Sequence, residues 1–89
     1  MAKVKFEVSG TAKPYWIAVN RDDVKITNGK GEKELAAGKE HILVWHMMGS
    51  AGESLSIVGK AGAREVVNIK ESKIPPRRGA SAGYRRFKV

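Results

Sequence analysis

Cysteine is absent from the 89-residue chain, which excludes a disulfide framework, a thiolate nucleophile and any Cys-ligated metal site. Proline is confined to Pro14, Pro75 and Pro76, so the sixty residues between carry nothing that would interrupt a strand ladder. Acidic residues are few: 9 Asp and Glu stand against 17 Lys and Arg, a formal charge of +8. No run reaches the ~18 apolar residues of a membrane-spanning helix. The N-terminal Met1-Ala2-Lys3-Val4-Lys5-Phe6-Glu7 has no apolar stretch of a secretory signal's length, so the cytoplasm is the default compartment. What remains is globular in composition, 42% hydrophobic and 29% charged, and of a length that forms one domain.

The charge is unevenly placed. Residues 1–69 hold ten Lys and Arg against eight Asp and Glu, whereas residues 70–89 hold seven against Glu71 alone. The excess therefore concentrates in the last twenty residues, an asymmetry that speaks of partners rather than of fold. It sets a boundary near Ser72 and divides the chain into a domain at 1–72 and a basic segment at 73–89.

Before that boundary the pattern has a period of two. Val4, Phe6 and Val8 alternate with Lys3, Lys5 and Glu7, which puts the apolar set on one side of a pleated strand. Tyr15 to Val19 is an aromatic and β-branched run, with Pro14 acceptable at its start. Val24-Lys25-Ile26 is a short strand, and Asn28-Gly29 is a strong hairpin signal because a type I′ turn needs φ > 0 at both central residues. Glu32 to Leu35 reads as the returning strand. His41 to Met48 is the longest apolar run; its length allows a strand or a short helix, but Gly38 and Gly49 bound it at strand length without a helix cap, which predicts a central strand with both faces at least partly covered. Ser54 to Val58 and Arg64 to Ile69 complete about seven short strands separated by turn residues, the pattern of a small antiparallel, immunoglobulin-like β-sandwich. The expected core is Val4, Phe6, Val8, Trp16, Ile17, Val19, Ile26, Leu35, Leu43, Trp45, Leu55, Ile57, Val67 and Ile69. Side chains of this number fill a small sandwich without leaving an enclosed cofactor pocket, so no cofactor is expected.

Residues 73–89 differ in kind. Pro75-Pro76 favours extended polyproline geometry, and Gly79-Ala80-Ser81-Ala82-Gly83 offers no anchoring side chain. The segment is expected to be mobile, although Tyr84 to Val89 also has the alternation of a last strand that would dock Phe87.

Catalytic constellations are hard to assemble. His41 and His46, five apart on a strand, point to opposite faces and cannot share a metal ion; hydrogen-bonded or exposed strand histidines are the simpler reading, and no metal site is expected. Ser50 and Ser54 lie close to His46 in sequence without a nucleophile elbow around them. Asp22-Asp23 is turn chemistry, and Gly49-Ser50-Ala51-Gly52 and Gly59-Lys60-Ala61-Gly62 match no phosphate loop and precede no helix. An enzyme is therefore not expected.

Two features point to binding. Tyr15 and Trp16 are adjacent, so one ring faces inward and the other outward; an outward ring is a stacking platform for a sugar or base, though the packing reading buries Trp16 and leaves Tyr15 half exposed. In the basic segment, Arg77, Arg78, Arg85, Arg86 and Lys88 with Tyr84 suit phosphate contacts plus stacking, as in nucleic acid or another polyanion, with a steep salt dependence.

Leu35-Ala36-Ala37-Gly38 followed by His41-Ile42-Leu43-Val44 resembles the leucine–glycine step into a hydrophobic strand of PEGA-type surface modules, over residues 35–49. Ala36 stands where that pattern has proline. The resemblance implies a non-catalytic accessory or adhesive module. The expectation from sequence is thus a monomeric interaction domain with an unknown macromolecular partner, or else a polyanion binder acting through its basic segment.

Overall fold

The computed structural model describes residues 1–89. The chain forms eight strands and no helix: β1 (Ala2–Gly10), β2 (Tyr15–Val19), β3 (Asp22–Val24), β4 (Lys30–Leu35), β5 (Glu40–Met48), β6 (Ser54–Ala61), β7 (Arg64–Lys73) and β8 (Ala80–Lys88). They pair antiparallel in two four-stranded sheets, β4-β1-β6-β7 and β3-β2-β5-β8. The all-β, two-sheet architecture expected from the alternating pattern is the one the chain adopts, with eight strands in place of seven.

Alternation explains the packing. Val4, Phe6 and Val8 of β1 are buried, as are Leu55 and Ile57 of β6 and Val67 and Ile69 of β7. They meet Ile17 and Val19 of β2, Leu43, Trp45 and Met47 of β5, and Phe87 of β8 in one continuous core. This is sheet-on-sheet packing, in which each inner face supplies every second residue. Each such side chain stabilises the fold by about 1.5–3 kcal/mol before its entropy cost.

Two type I′ turns act differently. Asn20 (φ 52°) and Arg21 (φ 70°) connect β2 to β3, which pair from Val19↔Asp22 to Ile17↔Val24. Asn28 (φ 53°) and Gly29 (φ 76°) form the turn that the sequence predicts, closed by reciprocal Thr27–Lys30 hydrogen bonds of 2.8 and 3.0 Å. The expected hairpin goes no further. Beyond that single bridge the chain separates, β3 lying in one sheet while β4 pairs with β1 from Ala2↔Leu35 to Glu7↔Lys30. Burial decides this: Leu35 enters the core between the sheets (4% exposed), which pairing with the three-residue β3 would not provide.

Residues 73–89, read from the sequence as a mobile tail, instead complete the sandwich. Ile74 is buried (1% exposed) and tied at both backbone groups, its N–H donating to Glu53 O (2.8 Å) and its carbonyl accepting from Gly52 N–H (3.0 Å). Pro75 to Gly79 cross to the second sheet, where β8 pairs with β5 in an unbroken register from Glu40↔Lys88 to Met48↔Ala80. Phe87 and Val89 are buried. The small residues, which offer no anchoring side chain, are what permits this: Gly83 lies directly over Trp45, where a Cβ would collide with the indole. Ser72 is likewise no domain boundary, since β7 runs on to Lys73 and Ser72 accepts a hydrogen bond from Trp45 Nε1 (3.3 Å).

Candidate binding face

Strand β5 is the centre of the second sheet, with β2 on one side and β8 on the other. Its long apolar run predicts at least partial cover on both faces; the inner face is buried, while on the outer face only Val44 is partly covered. His41, Leu43, Trp45 and Met47 point into the core, while Ile42, His46 and Met48 are exposed and Val44 is half-buried. The register places Trp16 of β2 beside His46 and, across β5, Ala82 of β8; the next row is Ala18, Val44 and Tyr84. Ile42 is flanked by Arg86, and Met48 by Ala80.

The outcome is an apolar outer face. The large exposed hydrophobic side chains of the whole chain are Met1, Trp16, Ile42, Met48 and Tyr84, and all but Met1 lie here. The opposite outer face, on β4, β1 and β6, carries Lys3, Lys5 and Glu7 opposite Glu34, Glu32 and Lys30 of β4, with Lys60 of β6 on the other side of Lys5, and a Lys3–Glu32 ion pair at 3.5 Å. One outer face of the sandwich is therefore mainly charged, whereas the other gathers the large exposed apolar side chains beside His46, Arg86 and Lys88.

Trp16 is the most prominent feature of this face. The sequence reading buried it and left Tyr15 half exposed; Tyr15 is indeed half-buried against the core, but Trp16 is 53% exposed. The reason is the period of two. Ile17 and Val19 are the better core pair, and Tyr15 belongs to their set, so Trp16 turns outward with Ala18. Its ring forms a ridge between two depressions. On one side is a groove of about 810 Å³ lined by Lys13, Pro14, Tyr15, Ile17, Lys25 and Ile26, which exists because β3 ends at Val24 and leaves the start of β2 without a neighbour. On the other is a hollow of about 400 Å³ floored by Ala80 and Ala82, beside His46 and Met48.

The basic residues do not form one cluster. Arg77 and Arg78 sit in the loop before β8, whereas Arg86 and Lys88 lie at its far end; at ~3.4 Å per residue the length of β8 separates them by about 25 Å. Tyr84, Arg86 and Lys88 share the outer face with Trp16. Arg85 occupies the inward-facing set, opposite Leu43, but at the sheet edge its side chain reaches solvent. Arg86 approaches Glu40 at 4.0 Å, both of them solvent-exposed, which contributes little to stability.

The histidines lie on opposite faces, as five residues on a strand require. His46 is exposed. His41 is buried (4% exposed), hydrogen-bonded through Nε2 to Ala36 O (2.8 Å) and through Nδ1 to Asn20 Nδ2 (2.8 Å), and in contact with the Phe87 ring. With the Asn20 amide donating to Nδ1, the proton belongs on Nε2, and both ring nitrogens are committed to holding the β2–β3 turn and the residues before β5. No group of three or more His, Asp or Glu side chains converges at a metal-binding distance.

No family model, curated protein or solved structure matches the chain. No helix is long and apolar enough to cross a membrane.

Proposed function

We propose that this protein is a non-catalytic interaction module of immunoglobulin-like build that docks a macromolecular partner on the outer face of the β3-β2-β5-β8 sheet, around Trp16, Val44 and Tyr84. The observation that carries this reading is the segregation of exposed apolar side chains onto that face while the opposite one is charged. Interfaces of this kind place aromatic residues and Met at their centre with polar groups at the rim. Here Arg86, Lys88, Lys25 and Asp23 surround the apolar middle. The non-catalytic part of the reading draws support from His41, whose ring nitrogens are both occupied inside the fold.

The test is site-resolved crosslinking in extract of the source cells. A photoreactive residue at Val44 is expected to capture a partner that the same group at Val58, on the opposite face, does not, and Trp16→Ala is expected to abolish capture without changing the circular dichroism of the domain. Equal capture from both faces would defeat the proposal.

A second reading keeps polyanion binding, with its residues redistributed. It is favoured by one observation: Tyr84, Arg86 and Lys88 share their face with Trp16, which joins two rings for stacking to nearby cations. Single-stranded oligonucleotides are then expected to bind with an affinity that falls steeply with salt, whereas docking on the apolar face is expected to be nearly salt-independent.

A further inference from the structure

Four strands lie at sheet edges, and three of them are poor templates for another chain. β3 is three residues long. β4 mixes signs, with Lys30, Glu32, Lys33 and Glu34 in six residues. β7 is long, but its pairing with β6 shifts register twice, and Glu71 adopts φ 43°, irregularities that twist an edge away from partners. β8 is different: nine residues in unbroken register, without proline or an acidic side chain, carrying Arg85, Arg86 and Lys88.

The backbone groups this edge offers follow from the ladder. Met48 N–H donates to Pro14 O (2.9 Å), so the even-numbered residues of β5 bond to β2; Gly49 N–H donates to Gly79 O (3.1 Å), so odd-numbered residues bond along β8. In an antiparallel pair the alternate residues direct their N–H and C=O away. Ala82, Tyr84 and Arg86 therefore present free donors and acceptors at the open side of the sheet. Their side chains stand on the outer face, while Arg85 points to the other side of the same edge. A strand added here meets positive charge above and below its backbone. Such charge repels a second β8 and attracts a chain of the opposite sign.

We propose that the free edge of β8 is a docking strand for an extended acidic peptide segment, which joins the sheet as a fifth strand with carboxylates opposite Arg85, Arg86 and Lys88 and an apolar residue opposite Tyr84. Main-chain hydrogen bonds supply the affinity of this recognition mode and alternate side chains the specificity. The site shares Tyr84, Arg86 and Lys88 with the apolar face and its rim but uses the backbone edge rather than Trp16, Val44 or His46, so the two proposals fail separately.

The experiment uses the isotope-labelled full chain and a strand-length synthetic peptide with the core Glu-Val-Glu-Glu-Val, which in antiparallel register sets glutamates opposite Lys88, Arg86 and Arg85 and a valine opposite Tyr84, with two controls: the lysine counterpart, and the glutamate peptide N-methylated at alternate amides. The glutamate peptide is expected to slow amide exchange at Ala82, Tyr84 and Arg86. N-methylation on the bonding edge and the charge reversal R85E/R86E are each expected to weaken binding by about tenfold or more, and Trp16→Ala to leave it within about twofold. Ala82→Pro removes a free donor while sparing the β5 ladder, and is expected to abolish the protection; if that variant fails to fold, the N-methylated peptide decides alone. Any one of four results overturns the proposal: no binding at low salt, equal binding of the N-methylated or lysine peptides, shifts confined to Trp16, Val44 and His46, or binding without amide protection at the edge.

Discussion

Replacing Phe87 by alanine separates a structural C-terminal strand from a loose basic arm. The ring is 6% exposed and 5.7 Å from the His41 imidazole. Truncating a buried Phe costs about 3–5 kcal/mol through lost transfer energy and the cavity left behind. The position is on an edge strand, where partial collapse is easier, so the lower end applies and about 3 kcal/mol is expected. A domain of this length has a total stability of about 5–10 kcal/mol, so one side chain accounts for about 30–60% of it. In urea, with m of about 1–1.5 kcal/mol per molar for a small domain, the midpoint is expected to fall by about 2–3 M. Tyr84→Ala on the same strand is the control: the ring is 67% exposed, and its loss is expected to cost less than about 0.5–1 kcal/mol. A Phe87→Ala midpoint shifted no further than that of Tyr84→Ala would refute the strand and return the segment to a flexible arm.

Other outcomes can be read from the same chain. The two tryptophans are expected to divide in fluorescence: iodide quenches the Trp16 emission, and a Trp16→Phe variant retains only the protected, blue-shifted signal of Trp45, which is 6% exposed. Gly83→Val drives a branched side chain into the Trp45 indole, and is expected to cost about 2 kcal/mol by overpacking and to alter the near-ultraviolet circular dichroism. Asn20→Ala removes the hydrogen bonds to His41 Nδ1 (2.8 Å) and from Ile42 N–H (3.1 Å) at a φ of 52°, a loss of about 1.5–2 kcal/mol by thermal melting; Asn20→Gly, which relieves the backbone, is expected to lose less. Truncation after Ser72 is expected to yield an aggregating product rather than a folded core, because it removes buried Ile74, Phe87 and Val89 and uncovers a full edge of β5.

Much of this was readable in the residues, and the parts that were not have a common cause. Local pattern identified β1, β2, β5, β6 and β7 and most of the core, because side-chain alternation is a property of a strand by itself. It also placed His41 and His46 on opposite faces. It could not say which strand lies beside which: Asn28-Gly29 specified its turn correctly, while the partner of β4 was β1, fixed by core burial far away in sequence. Ring size favours burying Trp16, but phase decides: Tyr15, Ile17 and Val19 form the stronger inward set and leave Trp16 outside. The apolar run of β5 could not reveal a bare outer face, since hydrophobic composition is the same for a covered face and for an exposed one. Alternation marks only Tyr84 to Val89 as a possible last strand; Ala80 to Gly83, whose glycine and alanines are poor strand formers alone, owe their place in β8 to the indole and to β5.

The order of strands has a bearing on how the chain is made. Apart from the β2–β3 and β6–β7 hairpins, each connection carries the polypeptide from one sheet to the other, so β1 waits for β6, and β5 leaves the ribosome well before β8 can border it. Until then an apolar ribbon with unmet amides stands open on one side. Such non-local pairing folds on a scale of milliseconds to seconds, and the nascent interval is when a holding chaperone or a low synthesis temperature would most improve recovery of the protein.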